Sequence, residues 1–434
     1  MKKILTLCTV LALAFAMSIM FTACPADSGG GGDSGSIKPG LYAKAPPITG
    51  NDTPIDISGR PGATIVEKAV DYMKASTTSA TFTLVLNENT TAAPQELTFQ
   101  LVTLIGIGSS KPTITLSSAG SLFTIDPTAS LTLENIILKG INANNAPLVN
   151  VKGGKLTMKS GSVITGNTNT ATAGGGVYVS KGDTLTSGTF TLEGGEISNN
   201  KAVNQGGGVY FEGPTGDFTM SGGVIKGNKT TDSISSSGAG VYIMKGNFTM
   251  KGGEISDNDA SSSGTSRGGG VYFEAYTPYS DEDVIKISAF TMSGGVIKGN
   301  KAYEGGGVYI NEGHFTMSGA ASISGNNASG SGGGVYLSYH PDFTFLRMAG
   351  GTIYGSEDAA GSNKNTAFEE PAYDKPAGAA LYVAIEGTEV KRGTLSGNTF
   401  SEKGDIPVVF DEDRTGGAIE TTIKVNSSTG ALVP

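Results

Sequence analysis

The sequence is most informative in what it lacks. It contains no tryptophan, two histidines and two cysteines, and only 16% of its residues are charged. The cysteines are Cys8 and Cys24, both near the N-terminus, so the remaining chain cannot be held by disulfides and must be stabilised by packing and hydrogen bonding. His314 and His340 stand in no recognisable catalytic constellation and read as solvated surface residues. The formal charge is −9 with no basic stripe, which argues against nucleic acid as a partner. The Asp-bearing Gly-Gly-x-Gly-x-Asp calcium repeat does not occur, and nothing in the chain calls for a metal or other cofactor. Within the repeat unit helices are excluded, because its residues between the glycines are strand formers.

What the chain has in excess is glycine, 66 residues, interleaved with strand-forming residues. Gly-Gly-Gly-Val-Tyr stands at 174–178, 206–210, 268–272, 305–309 and 332–336, with Gly-Ala-Gly-Val-Tyr at 238–242 and Gly-Ala-Ala-Leu-Tyr at 378–382. Between these copies runs Phe-Thr-Met/Leu, a glycine pair, an isoleucine and an asparagine, as in Phe218 to Asn228. Successive copies of the first motif lie 32, 32, 30, 37, 27 and 46 residues apart. A constant unit of varying length is the signature of a solenoid.

Each unit supplies three short strands, Val-Tyr-Phe, Phe-Thr-Met and Val-Ile-Lys, with glycines at the corners. Isolated strands of that length are unstable. Stacked on the same strands of the next unit they form long parallel sheets, each coil rising by roughly 4.8 Å. The expected fold is all-β, a right-handed parallel β-helix, with handedness following that of parallel crossovers. Residues 64–75 carry apolar side chains at helical spacing and predict a short capping helix at the N-terminal end.

Strand alternation assigns the faces. Val209 and Phe211, and their equivalents, face inward. Tyr178, Tyr210, Tyr242, Tyr272, Tyr309 and Tyr336 then stack as an outward ladder, with Tyr382 beyond them. Spaced aromatics on a flat sheet can stack on sugar rings or dock a partner, which makes this ladder the leading binding candidate; cross-strand packing is the plainer role for the same residues. Asn200, Asn228, Asn258, Asn300 and Asn326 follow the third strand. They predict an asparagine ladder, since Asn tolerates left-handed backbone and stacked amides hydrogen-bond to one another.

The N-terminus has Lys2 and Lys3, an apolar run from Ile4 to Phe21, and Phe21-Thr22-Ala23-Cys24. This layout is that of a secretory signal, and its end resembles the lipobox of bacterial lipoproteins, which implies lipidation of Cys24. Loss of Lys2 and Lys3 with the signal lowers the formal charge by two, from −9 to −11. The organisation expected is a signal at 1–23, a flexible Gly/Ser-rich tether at 24–60, the β-helix with its cap at 61–404 and a C-terminal cap at 405–434. Membrane attachment through the N-terminal lipid implies a place in the cell envelope; the outer membrane with surface exposure is expected, and a periplasmic orientation is the alternative.

The alternating motifs resemble the repeats of chlamydial polymorphic outer membrane proteins and, more broadly, the pectin-lyase-like β-helix proteins of bacterial surfaces. The resemblance implies a non-catalytic surface rod for adhesion or for binding a glycan or a host or partner protein. The alternative is a polysaccharide lyase or glycoside hydrolase. Such an enzyme needs clustered carboxylates, or calcium ligands with a base, whereas Glu193, Glu196 and Glu254 are isolated on regular strands. Catalytic residues are therefore expected to be absent, unless the acidic insertions at 274–288, 338–346 and 356–376 assemble a site.

Overall fold

The computed structural model describes residues 36–75, 80–171, 173–182, 186–232, 234, 236–262, 264–275, 288–338, 344–356, 363–368, 378–384, 389–396, 399–406, 409–410, 417–419, 423–425, 428 and 431–432. The expected signal, Cys24, His340 and most of the three insertions lie outside these residues.

The chain winds into a parallel β-solenoid of about 8 turns with almost no helix. Residues of like position in successive units are direct register partners. On the first wall Val149, Val177, Val209, Val241, Val271, Val308, Val335 and Leu381 follow one another. The second wall carries Leu131, Leu156, Phe190, Phe218, Phe248, Phe290, Phe315 and Leu346. The third carries Leu138, Ile164, Ile197, Ile225, Ile255, Ile297, Ile323 and Ile353. Looser rungs at Thr81–Leu86, Leu101–Gly106 and Thr113–Leu116 precede them.

These three ladders converge on one dry core. Val209, Phe211, Phe218, Met220 and Ile225, one coil's contribution, are all 0% exposed. Inside the second wall, Phe190, Phe218, Phe248, Phe290 and Phe315 stack with ring centroids 4.5–4.7 Å apart. Ring spacing therefore matches strand spacing, and each coil adds one phenyl ring to the stack.

Both ends of this core are covered. Helix α1 (Ile65–Lys74) begins in a capping box, with Thr64 and Glu67 exchanging side-chain-to-backbone hydrogen bonds. Its buried face, Val66, Ala69, Val70 and Met73, joins the core. The strand Gly40–Tyr42 pairs antiparallel with Thr81–Leu86, and Leu41 and Tyr42 are buried. This corrects the expectation of a tether reaching residue 60: apolar residues from Leu41 onward pack on the solenoid end. At the far end, Gly417–Ile419 and Ile423–Lys424 add antiparallel strands to the last rungs.

Candidate functional site

The asparagine corner is the most uniform polar feature of the molecule. Asn200, Asn228, Asn258, Asn300 and Asn326 are each at most 1% exposed. In every step the Oδ1 of one asparagine accepts both the backbone N–H and a side-chain N–H of the asparagine one coil earlier; for Asn228 and Asn258 both distances are 3.0 Å. The Nδ2 of Asn258 also donates to the carbonyl of Ile225. The ladder extends beyond the five expected residues to Asn167 and Asn144 at one end and Asn365 at the other.

The left-handed backbone lies one residue earlier than expected. Asn199 and Asp257 have φ of 55°, and Gly227 and Gly299 have φ of 61° and 66°. The asparagine itself carries the hydrogen bonds, and its predecessor makes the turn. After the turn a two-residue strand, Lys201–Ala202 in one coil, pairs with its equivalent and adds a short fourth side. The glycine corner closes the coil. A Cβ on Gly208 would stand 2.6 Å from the carbonyl oxygen of Gly240 and 2.9 Å from Asn228 Nδ2, so that position must be glycine for the ladder to pass.

The outward tyrosines form a continuous stack. Ring centroids from Tyr178 through Tyr210, Tyr242, Tyr272, Tyr309 and Tyr336 to Tyr382 are 4.5–5.3 Å apart. Their faces are occupied by one another, and Tyr210, Tyr242, Tyr272 and Tyr309 are buried. The glycine corner folds down beside them: Gly206 has φ of 63°, and a Cβ there would lie 2.7 Å from the Cβ of Tyr210. Ring-on-sugar stacking along the middle of the ladder is thereby closed off, which corrects the picture of an open aromatic platform.

The hydroxyls are also engaged. Tyr178 donates to Glu212, Tyr242 and Tyr272 both donate to Glu274, and Tyr309 donates to Ser338. Burial, with Glu212 adding to it, pushes the Tyr178 phenol up to about 12, and burial raises Tyr210, Tyr242, Tyr272 and Tyr336 further. These are neutral packing side chains at ordinary pH.

The outward carboxylates are tied to the next coil. Glu196 meets Lys226 at 2.9 Å, and Glu254 meets Lys298 at 2.8 Å. Partial burial opposes their ionisation, but hydrogen bonds from Ser198 and Lys226 to Glu196, and from Lys298 to Glu254, hold both below the usual carboxyl range. Neither is poised to give up a proton. Among the described residues no group of three or more His, Cys, Asp and Glu side chains comes together.

His314 departs from its expected solvated role. It stands opposite Phe345 in register, its ring stacked at 3.7 Å, with Arg347 over the same phenyl ring. Burial, and then the Arg347 charge, lower its pKa to about 4. It is neutral and structural.

In comparisons with known proteins, no family model matches the chain, and no curated protein or solved structure matches it.

Proposed function

We propose that this protein is a non-catalytic lipoprotein of the cell envelope, a right-handed β-helix rod of the pectin-lyase-like kind. A lipid on Cys24 and the Gly/Ser segment behind it would hold the rod clear of the membrane. Its surface would then serve adhesion, to a glycan or to a host or partner protein. The observation that carries this reading is how the outward charges are spent. Glu196 and Glu254 are each bound by a lysine of the following coil rather than facing another carboxyl, whereas glycoside hydrolysis uses two carboxyls flanking the bond to be broken. The arrangement ties neighbouring coils together and keeps these two carboxylates ionised.

The test uses purified full-length protein in detergent on surfaces coated with glycans and matrix proteins, alongside a reducing-end assay with acidic polysaccharides. Saturable retention without cleavage supports the reading. Release of new reducing or unsaturated ends would overturn it in favour of an enzyme.

A further inference from the structure

The tyrosine ladder stops abruptly at one end. Register pairs Tyr178 with Asn150 and Asn150 with Thr124, so the position next to Tyr178 holds an amide where every later coil holds a phenol ring. The glycine corner changes at the same point: Ala146 and Pro147 precede Leu148 and Val149, where later coils have three small residues before Val-Tyr. A cavity of about 390 Å³ opens there, lined by Tyr178, Asn150, Pro147, Lys152, Ser180 and Lys181 among others. That volume lies within the range of small-ligand pockets. The Oδ1 of Asn150 is buried and has no hydrogen-bond partner, and a buried acceptor left unpaired is costly unless something donates to it.

We infer that this cavity binds the tyrosine side chain of a partner polypeptide, which continues the stack by one ring. Three features select that occupant. The established part of the ladder repeats at 4.5–5.3 Å, the offset-stacking distance for aromatic rings, and Tyr178 is its terminal member. A phenol, unlike a phenylalanine ring, brings an O–H that can donate to Asn150 Oδ1 once the amide turns toward the cavity. Among the described residues the lining includes Lys152 and Lys181 and no acidic residue, so acidic residues beside the tyrosine are favoured on a chain that is otherwise negative. The proposal rests on the reading of the rod as a binding module. It names where binding occurs and what is bound.

The test is a titration of the full chain with the peptide acetyl-Gly-Glu-Tyr-Glu-Gly-amide, with saturation-transfer NMR to identify the peptide protons in contact. The tyrosine ring protons should take up the strongest transfer, and a leucine version of the peptide should bind about tenfold more weakly or worse. Tyr178→Leu should cost a similar factor. Asn150→Tyr should abolish binding by completing the ladder within the chain, and should melt no lower than the natural protein, so lost binding cannot be put down to unfolding. Absence of peptide binding, equal binding of the leucine peptide, or unchanged binding by Asn150→Tyr would overturn the proposal. Displacement of the peptide by millimolar glucuronic acid, with sugar binding that also depends on Tyr178, would reassign the cavity to a sugar. Surface retention that survives in Asn150→Tyr places adhesion elsewhere on the rod and sinks this site alone. Loss of all retention by the natural protein, with peptide binding intact, sinks the adhesion reading alone.

Discussion

Asn228 accepts two hydrogen bonds from Asn200 through a single oxygen, one from the backbone N–H at 3.0 Å and one from the side-chain amide at 3.2 Å. Both residues are fully buried. The same contact repeats along the corner, so each asparagine holds the coil before it and is held by the coil after it. Each asparagine amide of the corner is thus paired on both sides, as a buried amide requires.

Replacing a middle member should therefore be costly. Asn258→Ala removes the acceptor of two Asn228 donors and the donor to Ile225 and Asn300. Several groups are then buried without partners, at about 1–3 kcal/mol each where they cannot relax. Urea unfolding should show a loss on the order of 3 kcal/mol. A loss below about 1 kcal/mol would mean that water or a shift of the corner replaces the ladder.

The glycines divide into those the fold requires and those it tolerates. Gly208→Ala drives a methyl group into the Gly240 carbonyl and the Asn228 amide, and should cost about 2–3 kcal/mol or more. Gly264 has nothing within 4 Å of an added Cβ, and Gly264→Ala should fall within about 0.5 kcal/mol of the natural protein. Thermal melts of the two variants side by side decide the matter; similar melts would contradict the close approach at Gly208.

His314 gives the fold a pH dependence of known sign. Its folded pKa is lowered to about 4 by burial and by Arg347, against about 6.5 when unfolded. Between these values the unfolded chain binds more protons than the folded one, so stability rises with pH through that window and falls as pH drops from about 6.5 toward 4. Replacement by glutamine removes the titrating ring. Denaturation midpoints measured from pH 7 down to 4.5 should decline more steeply for the natural protein than for His314→Gln. Parallel slopes would show that the imidazole is solvated.

The tyrosine ladder acts at the other end of the scale. With the folded phenols raised, to about 12 for Tyr178 and beyond for its buried neighbours, the folded chain keeps protons that the unfolded chain releases near pH 10. Stability from this source is complete below pH 10 and is lost as pH rises above it. Absorbance at 295 nm should show a block of tyrosines that ionise only on alkaline unfolding. Reversible ionisation of all tyrosines near pH 10, with the fold intact, would mean that the stack is open to solvent.

Much of this architecture was legible in the sequence, because the repeat reports the same environment many times. Val209, Tyr210 and Phe211 show by alternation alone which side is core, and the Phe-Thr-Met copies do the same for the second wall. Other features leave weaker marks. A two-residue strand such as Lys201–Ala202 is too short to show a period. The turn residue before each asparagine varies among Gly, Asn and Asp, so the invariant asparagine drew the left-handed role that its predecessor fills. Alternation also says which way Tyr242 points but not what lies over it; its burial follows from a glycine corner that folds back across the strand. Asn365 follows an insertion and lacks the flanking motif, so only its contact with Asn326 reveals it. At Asn150, the loss of a tyrosine from the series was visible in the sequence, and its meaning as a cavity needed the register with Tyr178.

The anchored-rod account is tested most directly by the mass of the mature N-terminus. Protein extracted from membranes of the producing cells should yield an N-terminal fragment beginning at Cys24 and carrying diacylglycerol, and Cys24→Ser should release the chain from the membrane fraction. A fragment that begins elsewhere, or an unmodified Cys24 on a chain that stays soluble, would contradict it.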